Sequence, residues 1–390
     1  MADGGEAQAI TAHTLGAVDE IAAADWNAVA APDAGAVNPF VTHAFLAALE
    51  RSQSACAATG WTPCHLAIEQ EDALVAAAPL YVKSHSFGEY VFDHHWADAY
   101  ERAGGRYYPK LLCAAPFTPV PGPRLLSQRP ENRSLIAASL ISLTERLSLS
   151  SAHVNFISDE DANALAAAGF LIRHGIQYHW LNRGYRTYDD FLGALASRKR
   201  KALRRERKAA QDGVTIRRID GPAIKKELWD AFWLFYQDTG DRKWGRPYLT
   251  RAFFDEIAET MADRIMMVVA EADGVPIAGA LNFIGGDTLF GRYWGRTEDR
   301  PFLHFELCYH QAIDYAIERG LSRVEAGAQG EHKIARGYEP VLTRSAHWIG
   351  DSGFRQAVAR YLGAERREID AEISALAAMT PFSSVAGRPH

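Results

Sequence analysis

Two distant segments of the chain share one pattern, and this pattern limits the fold more than any other feature. In residues 64–82 (CHLAIEQEDALVAAAPLYV) an apolar run ends in a Glu-Asp turn and a second apolar run follows. Residues 266–284 (MMVVAEADGVPIAGALNFI) repeat the pattern, with Asp273-Gly274 at the turn. Apolar runs joined by such dipeptides predict antiparallel hairpins. The same pair of strands is therefore predicted once in each half of the chain.

The elements around the two hairpins are predicted to follow the same order. A third strand is expected after each hairpin, at residues 88–93 and 288–295, and a helix at 303–319 that Gly320 ends. Two helices, a hairpin, and then strand, helix, strand and helix resemble the order of the acyl-CoA N-acyltransferase (GNAT) fold. We therefore expect an α/β (α+β) protein with two tandem GNAT-like domains, each a mixed central sheet flanked by helices. The predicted domains are residues 1–183 and 184–390, and a basic helix at 196–211 lies near the start of the second.

Length and composition agree with two ordinary globular domains. A chain of 390 residues exceeds what one compact core accommodates, and 48% hydrophobic with 23% charged residues is usual. No run of about 20 apolar residues predicts a transmembrane helix. The N-terminus, MADGGEAQAITAH, lacks the basic and apolar regions of a secretory signal. The four cysteines are scattered without a CxxC pair, so we expect a cytoplasmic protein.

Positive charge is concentrated in one short run. Eight of the eleven residues at 198–208 are Lys or Arg, whereas the whole chain has a net charge of −6. General nucleic-acid-binding proteins usually spread basic residues over a face of the fold. The run predicts either a surface helix that binds phosphate groups or a helix whose charges are only solvated.

The loop at residues 116–126 (PFTPVPGPRLL) occupies the place of the GNAT phosphate-binding turn. That turn holds a pyrophosphate with backbone N–H groups. Here it has one glycine and four prolines, and proline has no N–H to donate. The loop either binds a coenzyme weakly, through Thr118, Gly122 and Arg124, or is a stiff loop without this role.

Four segments resemble the Fem-like acyltransferases, double-GNAT proteins that include the aminoacyl transferases of peptidoglycan cross-bridge synthesis. The similarity is greatest to a bacterial branch of FemAB-like predicted N-acyltransferases. His94-His95 departs from the aromatic or small pair expected there. The segments are residues 90–126, 290–295, 303–321 and 325–340.

The resemblance implies transfer of an acyl or aminoacyl group to an amine by direct attack. The donor would be acyl-CoA or, alternatively, aminoacyl-tRNA, and the acceptor a small molecule or a cell-wall precursor. The proline-rich loop weakens the first donor, and the absence of the long helical arm of larger members weakens the second. Fem-like proteins carry a basic helix at the start of the second domain. Arg204, Arg205 and Lys208 are therefore expected to contact a phosphate of CoA, of a nucleotide-linked precursor or of a tRNA end.

Candidate reactive residues follow the third strand of the second half. The segment GAQGEHK at 327–333 follows a strand, where such folds place their sites. We expect Glu331 or His332 to accept the proton of the amine, and Tyr293 to return one to the leaving group. Glu306 is a further catalytic candidate, although a carboxylate is favoured at a helix N-terminus in any case. Substrate-binding roles are expected for His304, Lys333, Arg336, Gln329 and Arg292.

In the first half, aromatic and basic residues surround a predicted helix. They would suit a nucleotide, a sugar or a coenzyme ring, or would form an amphipathic helix with a buried tryptophan. The expected substrate-binding residues are Trp96, Asp98, Tyr100 and Lys110.

The sequence lacks the motifs of other catalytic chemistries. His94 and His95 adjoin and would point apart, and there is no HExxH, so no metal is expected. No GxSxG nucleophile motif is present, and direct transfer needs none. Two further hypotheses stay open: a nucleic-acid-binding protein that uses the basic helix, and a GNAT-fold scaffold without activity.

Overall fold

The computed structural model describes residues 10–31, 37–244, 247–327 and 330–383. The chain forms two compact units, and neither is a single stretch of sequence. Unit 1 comprises Met1–His174 with Thr343–Arg366, and unit 2 comprises Gly175–Leu342 with Arg367–His390.

Among the described residues, eight strands and five helices lie wholly within unit 1. The strands are β1 (Ile10–Leu15), β2 (Trp61–Pro63), β3 (His65–Gln70), β4 (Ala73–Ala78), β5 (Leu80–Lys83), β6 (Lys110–Cys113), β7 (Leu126–Ser127) and β8 (Ser151–Val154). The helices are α1 (Ala23–Ala30), α2 (His43–Arg51), α3 (His94–Arg102), α4 (Asn132–Arg146) and α5 (Asp159–Ala167). One sheet has the order β1-β3-β4-β7, and the other contains β2-β5-β6-β8, in which β6 and β8 are parallel.

Unit 2 contains the remaining elements. Some of these elements begin in one unit and end in the other. The strands are β9 (Leu171–Leu181), β10 (Thr215–Asp220), β11 (Ile265–Ala272), β12 (Val275–Gly285), β13 (Thr288–Arg296), β14 (Arg323–Glu325) and β15 (Glu339–Ile349). The helices are α6 (Tyr188–Ala194), α7 (Ser197–Ala210), α8 (Lys226–Trp244), α9 (Arg251–Thr260), α10 (Leu303–Phe305), α11 (Gln311–Glu318) and α12 (Ser352–Ala378). The sheet runs β10-β11-β12-β13-β14-β9, with β13 and β14 parallel.

The division into units differs from the contiguous boundary predicted after residue 183. Residues 346–349 of β15 pair with β8 in unit 1. In α12, Val358 and Leu362 pack in one apolar cluster with Trp96 of α3. The segment 343–366 therefore belongs to unit 1, although it follows all of the strands of unit 2 in sequence.

Both predicted hairpins are present, with backbone geometry that suits their turns. Glu71 and Asp72 have φ of 53° and 60° between β3 and β4, and Asp273 and Gly274 have φ of 50° and 79° between β11 and β12. Two positive φ values are the requirement of the type I′ turn.

The predicted third strand of the first half is wrong, whereas that of the second half is confirmed as β13. Residues 88–93 form a loop, because Gly88 and Tyr90 adopt left-handed backbone conformations with φ of 80° and 58°. The strand that follows the first hairpin is instead the short β5.

The sheet of unit 1 has two different faces. Alternate residues of β6 and β8 pack with α4 and α5 in an apolar core. These residues are Leu111, Cys113, Ala152 and Val154. The opposite face carries Lys110, Ser151 and His153, which are also buried. A sheet of this kind usually turns its polar face to water, so this polar layer requires an explanation.

The helix predicted at residues 303–319 is present and has one irregular turn. A π-helical segment, Glu306–His310, joins α10 to α11, and Gly320 ends the helix with φ of 66°. Such π turns are rare and frequently lie at functional sites.

Candidate functional site

The two parallel strands of unit 2 separate after a short ladder. β13 and β14 pair over three positions, and the last pair is Phe290 with Glu325. β14 ends there, whereas β13 continues to Arg296. The register of β13 against β12 also shifts next to this point, where Asn282 faces Gly291 and Leu281 faces Tyr293. This bulge is typical of strands that border a site.

Glu325 lies at the point of separation and is almost fully buried, with 4% of its surface exposed. Burial raises the pKa of its carboxyl to about 7, although the charges of Arg323 and Arg292 oppose this. Arg323 Nε lies 3.2 Å from Oε1. Oε2 has no hydrogen-bond partner among the described residues. Glu325 is therefore a carboxyl that can gain or lose a proton near neutral pH.

His179 of β9 lies beside this carboxyl, with Nε2 3.7 Å from Oε2 of Glu325. Burial lowers the pKa of His179 to about 3, and the charges of Arg323 and Lys333 act in the same direction. The imidazole is therefore neutral and does not hold Glu325 in its charged form.

Lys333 is the second buried group, with 1% of its surface exposed. It lies in a 3-10 helix, Glu331–Arg336, and its Nζ donates to the carbonyl oxygen of Gly327 at 2.8 Å. Burial lowers the pKa of Lys333 to about 7, and the Arg292 charge contributes to this. Lys333 and Glu325 thus both exchange protons near neutrality, and both are influenced by Arg292.

The predicted proton acceptors Glu331 and His332 are exposed at the start of this 3-10 helix. His332 Nε2 lies 3.0 Å from the Tyr309 hydroxyl, and partial burial of the ring, together with the Arg336 and Lys333 charges, lowers its pKa. Gln329 lies outside the described residues. The loop thus holds two kinds of group: exposed residues at its surface and Lys333 inside.

Arg336 and Glu306, two other predicted site residues, are occupied by bonds that hold the basic helix α7. Arg336 Nε and Nη2 donate to Glu206 at 2.8 and 2.6 Å, and its guanidinium stacks on Phe305. Glu306 is fully buried and accepts from Arg207 Nη2 at 3.0 Å, as well as from Gln211 and Gln311.

These bonds fix one side of α7. Leu203 and Ala210 are buried on the same side of the helix. Removing one partner of such a pair typically costs about 3–5 kcal/mol, because the other charge stays buried. The arrangement suggests a positioning role for Glu306 and Arg336.

The remaining predicted residues of β13 and α10 lie in different surroundings. Tyr293 is buried in an aromatic cluster with Tyr236, Phe253 and Phe254. Arg292 influences Glu325 and Lys333 through its charge. His304 is half-buried against the Trp294 ring, 5.0 Å between centroids. Of the two alternating residues on β13, Arg292 is therefore the one whose charge acts on the buried carboxyl and amine.

The outer side of α7 borders an open groove. Its volume is about 1010 Å³, and it lies between α6 and α7. Arg204, Arg205 and Lys208 line it with exposed side chains, and Arg204 donates to Asp189 at 2.8 Å. Exposed basic side chains on a concave surface are suited to a phosphate-bearing ligand.

In unit 1, the proline-rich loop uses its polar groups internally. Gly122 N–H donates to the Phe156 carbonyl at 3.0 Å, and the Thr118 hydroxyl donates to the Pro116 carbonyl at 2.9 Å. Arg124 is fully buried and donates to the carbonyl of Val120. The structure thus favours the stiff-loop alternative over a phosphate cradle.

The predicted residues of α3 fall into two groups. Trp96 is buried against His347, 4.8 Å between ring centroids, and Tyr100 stacks on Phe354. Asp98 is exposed. Trp96 and Tyr100 therefore pack against other aromatic rings, as in the alternative of an amphipathic helix.

Lys110 lies instead in a buried polar cluster that the sequence analysis did not recognise. Its ammonium donates to Ser86 Oγ at 2.7 Å, to Glu89 Oε2 at 2.9 Å and to Asp93. Tyr107 donates to Asp93 at 2.7 Å. The signal for this cluster in the sequence is the pair of acidic residues, Glu89 and Asp93, in the segment predicted as a strand.

Glu325, two residues before the segment GAQGEHK, was likewise not among the predicted site residues. Glu325 ends an apolar strand. A lone carboxylate at the end of a buried strand is the sequence feature that could have marked it as a candidate site residue.

The described residues show neither a metal-binding cluster nor a membrane-spanning helix. No group of three or more His, Cys, Asp or Glu side chains in that part of the chain is arranged to hold a metal ion. Among the helices that the structure describes, none has the length and apolar character needed to cross a bilayer.

Comparison with known proteins identifies the fold and a family. The model of the FemAB-like family, described as peptidoglycan biosynthesis/recognition, matches residues 17–384. No curated protein sequence matches the chain significantly.

Three solved structures are similar to this one. FemX has a TM-score of 0.52 at 14% identity, with 87% of this chain and 98% of FemX covered. L-PGS from Bacillus licheniformis has a TM-score of 0.50 at 11% identity, with coverage of 81% and 95%. A tandem GNAT protein from the clavulanic acid biosynthesis pathway has a TM-score of 0.47 at 14% identity, with coverage of 88% and 100%. The similarity to FemX and L-PGS extends over most of this chain and, with the FemAB-like family match, confirms the predicted tandem GNAT-like fold.

Proposed function

Since the chain belongs to the FemAB-like family, we propose that it transfers an acyl or aminoacyl group to an amine, with the reaction centre in unit 2. One observation carries this proposal. Where β13 and β14 separate, a buried carboxyl, Glu325, has a pKa of about 7 and an oxygen without a partner among the described residues. A general base is most effective when its pKa lies near the working pH.

Glu325 would accept the proton of the attacking amine. The amine nitrogen forms a bond to the carbonyl carbon of the donor, and the bond from that carbon to the thioester sulfur of acyl-CoA or the ester oxygen of aminoacyl-tRNA breaks. The developing oxyanion would lie against the bulged part of β13. The proton released by nitrogen goes to Glu325.

Lys333 would supply the proton that the leaving group needs. Its ammonium has a pKa of about 7, so it releases a proton far more readily than an exposed lysine does. The thiolate or alkoxide that leaves becomes a neutral thiol or hydroxyl. In this scheme Glu325 and Lys333 replace the predicted roles of Glu331, His332 and Tyr293.

The basic groove supports a donor that carries phosphate groups. Acyl-CoA and aminoacyl-tRNA both have them, and the groove of α6 and α7 offers Arg204, Arg205 and Lys208. The acceptor would be an amine of a small molecule or of a cell-wall precursor.

The test measures amine-dependent consumption of each donor. Purified protein is incubated with acetyl-CoA, a long-chain acyl-CoA or a mixed aminoacyl-tRNA preparation, together with a panel of primary amines that includes cell-wall precursors. The readouts are thiol release or tRNA deacylation, and mass spectrometry of the amide product. Glu325→Gln is expected to lower kcat by about 10²–10⁴-fold, whereas the exposed control Glu331→Gln retains activity. No amide product with any donor, or full activity of Glu325→Gln, would contradict the proposal.

A further inference from the structure

The polar layer of unit 1 is a compact cluster of ionisable groups. Lys83 of β5 and Lys110 of β6 are paired across the two strands and are both fully buried. The loop between β5 and α3 places Glu89 and Asp93 beside Lys110. The cluster thus contains two ammonium groups and two carboxyls out of contact with water.

Lys110 has no capacity left for another partner. An ammonium group has three N–H donors. Those of Lys110 are used by Ser86, Glu89 and Asp93. Each of the two carboxyls is thereby satisfied at only one of its oxygens.

Three acceptor atoms in the cluster lack a hydrogen-bond partner within the described ranges. They are Glu89 Oε1, Asp93 Oδ1 and Asn155 Oδ1. All three residues are more than nine-tenths buried, and Asn155 is 1% exposed. Asn155 Nδ2 lies 3.5 Å from the backbone carbonyl oxygen of Glu89, so its amide adjoins the acidic loop. Buried acceptors without donors are costly, and each one requires an explanation.

The charges of the cluster point to a cation. Lys83 Nζ lies 3.7 Å over the Trp61 ring and 3.4 Å from the Phe87 carbonyl oxygen, and no described carboxylate lies within ion-pair distance of it. Burial lowers the pKa of Lys83 to about 7. When Lys83 is neutral and both carboxyls are ionised, Lys110 balances only one of the two negative charges.

We propose that unit 1 contains a binding site for a primary ammonium group, seated on Glu89, Asp93 and Asn155. Three N–H donors of the ligand match the three unpartnered acceptors, and its positive charge balances the second carboxylate. A water molecule would supply two donors and no charge, so it would satisfy the cluster less completely. The site is separate from the transfer chemistry proposed for unit 2, and its test does not depend on that chemistry.

Binding is expected to strengthen as the pH rises through about 7. Burial raises the pKa of Glu89 to about 7, so at lower pH this carboxyl is neutral and Lys83 is charged. Both changes disfavour a second cation. Burial is the largest single influence on Asp93 and opposes its ionisation, but the Lys110 charge and the hydrogen bonds to the carboxylate together outweigh it and lower the pKa, so Asp93 stays ionised. The other titratable groups near the cluster are Tyr107, Tyr108, His85, His153 and His347, and burial lowers the pKa of each of the three histidines.

The experiment uses the full chain and two salts of equal charge. Ethylammonium chloride has three N–H donors, whereas tetramethylammonium chloride has none. At pH 8 we expect ethylammonium to raise the Tm by about 2–4 °C at roughly five times its Kd, and tetramethylammonium to have no such effect. At pH 6 the difference between the two salts should disappear.

Two variants separate this site from a general salt effect. Asn155→Leu is expected to abolish the ethylammonium shift, whereas Asn155→Asp, which keeps the acceptor, should retain it. If Asn155→Leu does not fold, Glu89→Gln serves the same purpose. Glu325→Gln in unit 2 should keep the shift while losing transfer. Equal shifts with both salts, no shift with either, or a shift that survives Asn155→Leu and Glu89→Gln would overturn the proposal.

Discussion

The buried carboxyl of Glu325 should make unit 2 less stable at high pH than at low pH. Its pKa is raised from 4.5 to about 7 in the folded chain. Between these values the unfolded chain has released the proton, whereas the folded chain keeps it. Stability therefore falls as the pH rises through this window, and the full cost is present above pH 7.

The perturbation is Glu325→Gln, which removes the charge and preserves the shape of the side chain. Moving the pKa of one carboxyl from 4.5 to about 7 corresponds to roughly 3 kcal/mol. The variant should therefore be about 3 kcal/mol more stable than the parent chain at pH 8, and nearly equal to it at pH 4.5. Activity should change in the opposite direction, since the same carboxyl is the proposed base. A gain in stability with a loss of activity is typical of residues kept for function.

The assay is urea denaturation at several pH values between 4.5 and 8, combined with hydrogen exchange of β13 and β14. Hydrogen exchange assigns the change to unit 2, because a chain with two compact units need not unfold in one step. Glu331→Gln is the matched control, since Glu331 is exposed in the neighbouring loop. If Glu325→Gln has the same effect at pH 4.5 and at pH 8, or destabilises unit 2 at pH 8, the reasoning is refuted.

Three further outcomes are expected. The transfer rate should have a bell-shaped pH profile with both limbs near pH 7, because Glu325 must be ionised and Lys333 protonated. Glu325→Gln should remove the acidic limb, and a transfer rate that does not change between pH 5 and pH 9 would contradict the assignment. Charge reversal of both Arg204 and Arg205 should raise the KM for the phosphate-bearing donor at least tenfold without changing kcat. Reversal of Arg198, which does not line the groove, should leave KM unchanged. An unchanged KM in the double variant would show that the groove does not bind the donor. Lys110→Met should destabilise unit 1 by about 3–5 kcal/mol in urea titrations at pH 8, since it leaves Glu89 and Asp93 without their buried counter-charge; a loss below about 1 kcal/mol would show that the cluster is not held by this charge.

The basic run shows how a local pattern acquires a role from its surroundings. Its charge density alone is compatible with nucleic-acid binding. In the structure Glu206 and Arg207 turn inward and bond to Arg336 and Glu306, whereas Arg204 and Arg205 line the groove. The helix therefore has an anchored side and an exposed side, and under the proposed function the exposed side would bind the donor.

Local sequence was sufficient for the features that depend on neighbouring residues. The turns at Glu71-Asp72 and Asp273-Gly274, the helix that Gly320 ends and the basic helix α7 were all predictable from turn chemistry and periodicity. The order of these elements predicted the GNAT-like fold. Such signals are contained in short windows, because turn geometry and helical spacing are set by residues a few positions apart.

Long-range pairing and burial were decided only by the tertiary structure. The return of residues 343–366 to unit 1 depends on the pairing of β15 with β8, and no local pattern encodes a partner so far away in sequence. Glu325 and Lys333 look like ordinary charged residues in the sequence. Their proton affinities come from the solvent that the fold removes and from the charge of Arg292 nearby. Local sequence determined the two hairpin turns and the helices named above, and the folded chain determined which strands pair and which charges are removed from water.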